Sequence, residues 1–137
     1  MINRILAGVD EVGRGCLAGP VISCALILRK SINKKFLKDS KTIPFKDRVK
    51  IAEHIKKNSW YAIGSASVKE IDKYNIFNAT LLSMERAIKK LKKKPDFFLI
   101  DGTHAPKKLK NSKTVIKGDQ KIKCISAASI VAKVHRD

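Results

Sequence analysis

The sequence predicts an α/β fold with a mixed five-stranded sheet flanked by helices. Short β-branched and apolar runs alternate with stretches whose apolar residues recur at helical spacing. The first two apolar runs are joined by a short glycine-containing link, residues 13–20, which favours an antiparallel pair at the start of the sheet. With 137 residues, of which 44% are hydrophobic, we expect one domain with its own core over residues 1–137.

Three strands and one helix are predicted in the first half of the chain. Residues 4–10 form a short apolar run that ends in an acid, and residues 20–29 are β-branched and apolar almost throughout. Pro44 precedes apolar residues at helical spacing, which predicts a helix that begins there. Residues 59–67 have the composition of a third strand.

The second half adds two helices and two strands. Residues 76–93 are predicted to be a helix with a core-facing apolar stripe, which consists of Phe77, Leu81, Met84, Ile88 and Leu91. Pro95 ends this helix, and residues 96–101 form a strand that again ends in an acid. Residues 113–117 are the predicted fifth strand, and residues 123–137 the final helix.

The charge balance indicates a polyanionic partner. The chain carries 30 basic and 12 acidic residues, a formal net charge of +18, and such a field favours nucleic acid. A lysine-rich composition that reflects the genome rather than binding is the alternative. No apolar run has the length of a membrane span, and the N-terminus does not resemble a signal peptide, so we expect a cytoplasmic monomer that does not bind membranes. The three cysteines, Cys16, Cys24 and Cys124, lack metal-type spacing and are expected to be reduced thiols.

Acidic residues stand at the ends of two predicted strands. Asp10 and Glu11 end the first strand and Asp101 ends the fourth, each shortly before a glycine. If these strands are parallel neighbours, the carboxylates meet at one edge of the sheet. Otherwise each acid is only a polar strand terminus. Because adjacent strand residues face opposite ways, Asp10 and Glu11 share a site only if the chain leaves regular pleating, and Gly13 permits such a bend.

The final helix carries a polar face that ends in a further acid. Its members, at helical spacing, are Ser126, Ser129, Lys133 and Asp137. This face is either a surface ion pair or the fourth side of an acidic site. Clustered carboxylates repel one another unless cations are bound, and their oxygen atoms suit Mg²⁺ or Mn²⁺ rather than zinc. Two such ions are an arrangement typical of phosphodiester cleavage. Surface positions are expected for the histidines His54, His104 and His135.

These residues also fall within segments that resemble a known family, type 2 ribonuclease H (ribonuclease HII). The similar segments are GVDEVGRGCLAGP at 8–20, DSK at 39–41, EIDKYNIFNAT at 70–80, LIDG at 99–102, KGD at 117–119 and SAASIVAKVHRD at 126–137. They occur in the family's order and at similar spacing, and the first and last are the most specific.

The resemblance implies an RNase H-like fold and a metal-dependent endonuclease. Its substrates would be RNA–DNA hybrids and duplex DNA that contains ribonucleotides, with products that carry a 5′-phosphate and a 3′-hydroxyl. The implied cofactor is Mn²⁺ or Mg²⁺, as two ions during catalysis. The implied catalytic and metal-binding carboxylates are Asp10, Glu11, Asp101 and Asp137.

The resemblance also implies substrate-binding residues. Gly13, Arg14 and Gly15 correspond to a motif that reads the ribose 2′-hydroxyl through backbone groups, and the further candidates are Ser40, Lys41, Asn75 and Lys133. Asp119, which follows a glycine at a turn, is expected to have a structural role in its loop.

The family continues with C-terminal helices after the segment that ends at Asp137, and these are missing from the present sequence. Two alternatives therefore stay open: an inactive or incomplete nucleic-acid-binding fragment of such an enzyme, and another RNase H-like nuclease, such as a resolvase-like enzyme. The glycine-framed arginine beside the acidic pair favours ribonuclease HII over the latter.

Overall fold

A computed structural model of the chain describes residues 4–13, 19–33, 37 and 44–136. The strands of the described part are Leu6–Val12 (β1), Val21–Leu28 (β2), Ser59–Ala66 (β3), Phe97–Asp101 (β4) and Ser112–Val115 (β5). Its helices are Phe45–Lys57 (α1), Val68–Lys90 (α2), Gly118–Lys121 (α3) and Lys123–Arg136 (α4). None of these helices is long and apolar enough to cross a membrane.

The strands form one mixed sheet in the order β3-β2-β1-β4-β5. The β1–β2 and β2–β3 pairs are antiparallel, whereas β1–β4 and β4–β5 are parallel. This arrangement confirms the α/β class, the mixed five-stranded sheet and the antiparallel start. It also satisfies the condition set for the strand-end acids, because β1 and β4 are parallel neighbours.

Helices cover both faces of the sheet. On one face, α1 and α4 pack against alternate residues of β2, with Leu26, Ile55 and Val131 fully buried. On the other face, α2 covers a second cluster that includes Val9 and Ile100. Successive strand residues therefore belong to different cores, and the face of each side chain follows from its position along the strand.

Helix α2 differs from the predicted helix at its start. It begins at Val68 rather than at residue 76, because Ser67 and Glu70 form a reciprocal capping box. The Ser67 N–H donates to Glu70 Oε1 at 3.0 Å, and the Glu70 N–H donates to Ser67 Oγ at 3.2 Å. Glu70 is also held by a bidentate contact with Arg86, at 2.7 and 2.6 Å. The prediction recovered only the part of α2 that follows a break at Asn75, where φ is 71° and ψ is 166°.

Small residues let both helix layers approach the sheet closely. A Cβ atom at Gly64 of β3 would collide with the α2 backbone at Ser83 and Ala87, and one at Gly8 would collide with α4. Beside Gly64, the Oγ atoms of Ser23 and Ser83 lie 2.5 Å apart, and both residues are fully buried. The helix-to-sheet distance is therefore fixed by the absence of side chains at two glycines.

We expect Gly64→Ala to lower the free energy of unfolding by about 1–3 kcal/mol, because the added methyl group meets helix backbone rather than a movable side chain. Urea unfolding followed by circular dichroism measures this change. Ser65→Ala, next on the same strand but exposed, is the matched control and should stay within about 0.5 kcal/mol of the parent. Equal stability of the parent and Gly64→Ala would contradict the close-packing interpretation.

Candidate active site

Two carboxylates meet where β1 and β4 run side by side. Val9 is in register with Ile100, so Asp10 and Asp101 come next on neighbouring strands. Val9 and Ile100 belong to the core under α2. Asp10 and Asp101 therefore point to the opposite face, which α4 covers. The structure thus brings together the two strand-end acids that the sequence pattern singled out.

Asp10 is a buried carboxylate, only 4% exposed. Its Oδ1 accepts a hydrogen bond from the Glu11 backbone N–H at 2.8 Å, and the Ser129 side chain is also hydrogen-bonded to it. Burial first, and then the negative charge of Asp101, raise the pKa of Asp10 from 3.8 to about 8, with a smaller contribution from Glu11. The ionised form of Asp10 is therefore costly unless a cation lies nearby.

Asp101 is held by the loop that follows β5. Its Oδ1 accepts the backbone N–H of Gly118 at 2.6 Å and that of Asp119 at 3.3 Å. Lys117 adopts a left-handed conformation, with φ 55°, just before these two donors. The KGD segment at 117–119 thus positions Asp101, and in the case of Asp119 it does so through the backbone. Sequence reasoning did not anticipate α3, which this turn begins.

Glu11 faces the other side of the sheet from Asp10. The β1–β2 ladder runs without interruption through Val12, so the bend considered at this point does not occur. Glu11 instead lines a small cavity of about 170 Å³ on the α2 side, to which Asp101, Thr80 and His104 also contribute. The carboxylates therefore surround the end of the sheet rather than share one face.

The polar face of α4 packs inward. Ser126 and Ser129 are each 5% exposed, which contradicts the surface ion-pair interpretation for this part of the helix. Ser129 reaches Asp10, as noted above, and Lys133 one turn later is half-buried. Asp137 lies outside the described residues, so its place beside the other acids stays a prediction.

The substrate candidates are only partly covered by the structure. Gly13 is buried with φ 112°, and a Cβ atom there would lie 2.8 Å from the Pro20 carbonyl oxygen. Asn75 is exposed at the break in α2, where its Oδ1 accepts the Asn78 N–H at 2.9 Å. The remaining candidates lie outside the described residues: Arg14, Gly15, Ser40 and Lys41.

Two residues at the cavity were not recognised from the sequence. Phe77 was assigned to the core stripe, yet it is 36% exposed and lies edge-on to His104, with ring centroids 4.8 Å apart. His104 is exposed, as expected, but it lines the cavity with Glu11. The available signal was its position, three residues after the acid that ends β4. His54 is half-buried rather than on the surface, and its Nε2 accepts the Asn33 N–H at 3.2 Å.

The donor set at this site fits a hard divalent cation. Among the described residues, the groups that act on Asp10 are two carboxylates, a backbone N–H and a hydroxyl, and none of these is cationic. The carboxylate and hydroxyl oxygens among these groups suit Mg²⁺ and Mn²⁺ as ligands. Within the described residues, no three His, Cys, Asp or Glu side chains lie close enough to hold a metal alone. Cys24 and Cys124 are free and buried, as expected, and Cys16 is outside the described part.

Comparison with known proteins gives a consistent result. A family model described as ribonuclease HII matches residues 7–137. The chain is 62% identical over 136 residues to a ribonuclease HII of Pelagibacter ubique strain HTCC1062, and it covers 73% of that protein. It is 48% identical over 135 residues to a ribonuclease HII of Macrococcus caseolyticus strain JCSC5402, of which it covers 51%.

A solved structure shows the same fold. The crystal structure of ribonuclease H2 from Pyrococcus horikoshii OT3 superimposes with a TM-score of 0.83 at 28% identity. The superposition covers 96% of the present chain and 72% of that one. The expected RNase H-like fold is confirmed by this match.

We expect the pKa of Asp10 to appear as a pH dependence of stability in the presence of EDTA. Between about pH 4 and pH 8 the folded chain keeps a proton on Asp10 that the unfolded chain has released, so stability falls as pH rises through this range. Asp10→Asn carries no titrating group, so it should show a flatter profile and exceed the parent in stability at pH 8 by an amount on the order of a few kcal/mol.

Thermal unfolding of both proteins across this pH range provides the measurement. Glu53→Gln, which removes an exposed acid on α1, is the charge-matched control and should follow the parent profile. Millimolar Mg²⁺ should stabilise the parent at pH 8 but not Asp10→Asn. Parallel pH profiles for the parent and Asp10→Asn would rule out the assigned titration.

Proposed function

Because the chain belongs to the ribonuclease HII family, we propose that it is a metal-dependent endonuclease that cleaves the RNA strand of RNA–DNA hybrids. We extend the proposal to ribonucleotides embedded in duplex DNA. The observation that carries it is the buried Asp10 carboxylate, which lies beside Asp101 at adjacent parallel strand ends, where none of the described groups that act on it is cationic. The formal net charge of +18 supports a polyanionic substrate.

The proposed metal ligands are the carboxylates Asp10, Glu11, Asp101 and Asp137. Two divalent ions, Mn²⁺ or Mg²⁺, would supply an activated water and neutralise the developing charge on the leaving oxygen, which gives 5′-phosphate and 3′-hydroxyl products. The protein must present ionised oxygens at fixed positions. Asp101 is oriented by two backbone N–H groups, and Asp10 by one N–H and the Ser129 hydroxyl.

The proposed reader of the ribose 2′-hydroxyl is the backbone of Gly13, Arg14 and Gly15. The 2′-hydroxyl distinguishes RNA from DNA at a single position, and a backbone without side chains can approach it closely. Gly13 supports this role, because it directly follows β1 and has a left-handed conformation in a confined space. It therefore lies two residues after Glu11 in the chain, at the same end of the sheet as the acids.

The proposed phosphate-binding residues are Lys133, Asn75, Lys41 and Ser40. Lys133 lies one helical turn after Ser129, which bonds Asp10, so its ammonium group comes from the side of α4 that faces the acids. Asn75 stands at a non-helical break and caps the helical segment that follows it. A non-glycine residue with this backbone conformation is strained, and such strain is typical of functional positions.

We expect Asp10→Asn to abolish cleavage while hybrid binding stays within a few-fold of the parent. Asp10 would hold metal, and it is not a main source of affinity for a polyanion. Cleavage of a duplex that contains one ribonucleotide, in Mn²⁺ and in Mg²⁺, measures the first effect, and gel-shift titration in Ca²⁺ measures the second. Glu53→Gln is the control with the same charge change and should retain parent activity.

The outcomes of this experiment separate the alternatives. Cleavage by Asp10→Asn at the parent rate would refute the assigned site. Hybrid binding without cleavage by the parent chain would favour a nucleic-acid-binding protein over an enzyme. Cleavage that ignores ribonucleotides and follows DNA structure would favour a different nuclease on the same fold.

We expect Lys133→Gln to weaken hybrid binding about uniformly across sequences and to reduce the slope of log affinity against log salt by about 1. The reason is the loss of one phosphate contact. Binding titrations between low and moderate salt give the slope. Lys50→Gln, an exposed position on α1, removes the same charge and should leave the slope unchanged. Equal slopes for the parent and Lys133→Gln would exclude the phosphate contact.

A further inference from the structure

A second concave surface lies at the opposite end of the sheet from the acids. This basic groove, of about 830 Å³, is lined by the start of β1, the end of β2 and the start of α4, with Leu6, Leu28 and Cys124 among its residues. Asp10 is four residues further along β1 than Leu6, a distance of roughly 13 Å in a strand. The groove is therefore separate from the proposed catalytic site.

The floor of the basic groove is aliphatic and its edge is cationic. Apolar side chains of Ile5, Ile27 and Ile122 line it together with the leucines named above. All charged residues among the described ones that line it are basic, namely Arg4, Arg29, Lys30, Lys93, Lys121 and Lys123. An apolar surface of this size with a charged rim is typical of an interaction site.

Trp60 has a particular place in this groove. The Arg29 guanidinium carbon lies 4.1 Å from the centre of the Trp60 ring, and Lys93 Nζ lies 5.2 Å from it. These cation–π contacts hold two positive charges at the rim and cover the indole. A nucleic acid strand gains much of its affinity from base stacking on open aromatic faces. Here the aromatic face is already in contact with cations and the floor is aliphatic, so the groove is poorly suited to bases.

We propose that the basic groove binds an acidic, amphipathic segment of a partner protein. Leucine-like side chains of the segment fill the aliphatic floor, and its carboxylates pair with the cationic rim, including Arg29 and Lys93. The charge complementarity is one-sided, because the lining carries cations and no carboxylates among the described residues. Apolar anchors combined with complementary rim charges are the usual basis of helix-in-groove recognition.

The test uses the full 137-residue chain and a defined peptide. The probe is a ~12-residue capped peptide of Leu and Glu, with the leucines on one helical face. Trp60 is the one tryptophan of the chain, so its fluorescence reports directly on the groove, and calorimetric titration gives an independent affinity. The same peptide with Gln in place of Glu, and an oligothymidylate, are the comparison ligands.

We expect saturable binding of the Glu peptide, and a loss of about tenfold or more in affinity for Arg29→Glu/Lys93→Glu. Lys46→Glu/Lys50→Glu changes the net charge equally on exposed α1 positions outside the groove and should bind like the parent. Circular dichroism checks that each variant is folded, and the Gln peptide should bind more weakly.

Three outcomes would overturn the proposal. They are the absence of saturable binding of the Glu peptide up to millimolar concentration, equal losses in the two double variants, and displacement of the bound peptide by oligothymidylate at lower concentration. The last result would assign the groove to single-stranded nucleic acid. None of these readouts involves cleavage, so the test is independent of the proposed enzymatic function.

Discussion

The register between β1 and β4 is the constraint on which the site depends. Parallel pairing of Val9 with Ile100 places two acids from distant parts of the chain side by side under α4. Asp10 is buried there, and its burial together with the negative charge of Asp101 raises its pKa. A bound cation would offset the free-energy cost of ionising Asp10. The oxygen atoms around it favour hard divalent cations.

The helices on either face of the sheet hold the groups around these acids in place. Because Gly8 has no side chain, α4 packs closely against β1, and this brings the Ser129 hydroxyl to Asp10. Gly64 allows the same close packing of α2 against β3. The capping box and the Arg86 contact stabilise the first turn of α2, which precedes the break at Asn75. Close helix packing therefore brings Ser129 to Asp10, whereas the loop after β5 holds Asp101.

The strands that end in Asp10 and Asp101 were predictable from the sequence, because the pattern that marks each of them is local. An apolar run that ends in an acid and a glycine occurs twice, which predicted both strands and the meeting of Asp10 with Asp101. The start of α2 carried an available signal in Ser67 and Glu70, whereas the break at Asn75 did not follow from periodicity. Asp10 and Glu11 could share one face only through a bend, but the ladder continues to Val12 and strand alternation places Glu11 on the other face.

Features that depend on distant segments were not accessible in the same way. The partial exposure of Phe77 depends on where residues after β4 pass over α2, and its helical spacing is the same as that of a core residue. The basic groove gathers Arg4, Arg29, Lys93 and Lys123, which are separated by most of the chain length. Only the strand order and the helix placement bring such residues together.

The alternation of Asp10 and Glu11 across the sheet has an evolutionary consequence. A single-residue insertion or deletion early in β1 would turn Asp10 to the α2 side of the sheet and Glu11 to the α4 side. Substitutions in β1 can be repacked, but a change in its length needs a β-bulge or a shift of register. Insertions and deletions are therefore better tolerated in connections such as that between β4 and β5 than in the part of β1 that leads to Glu11.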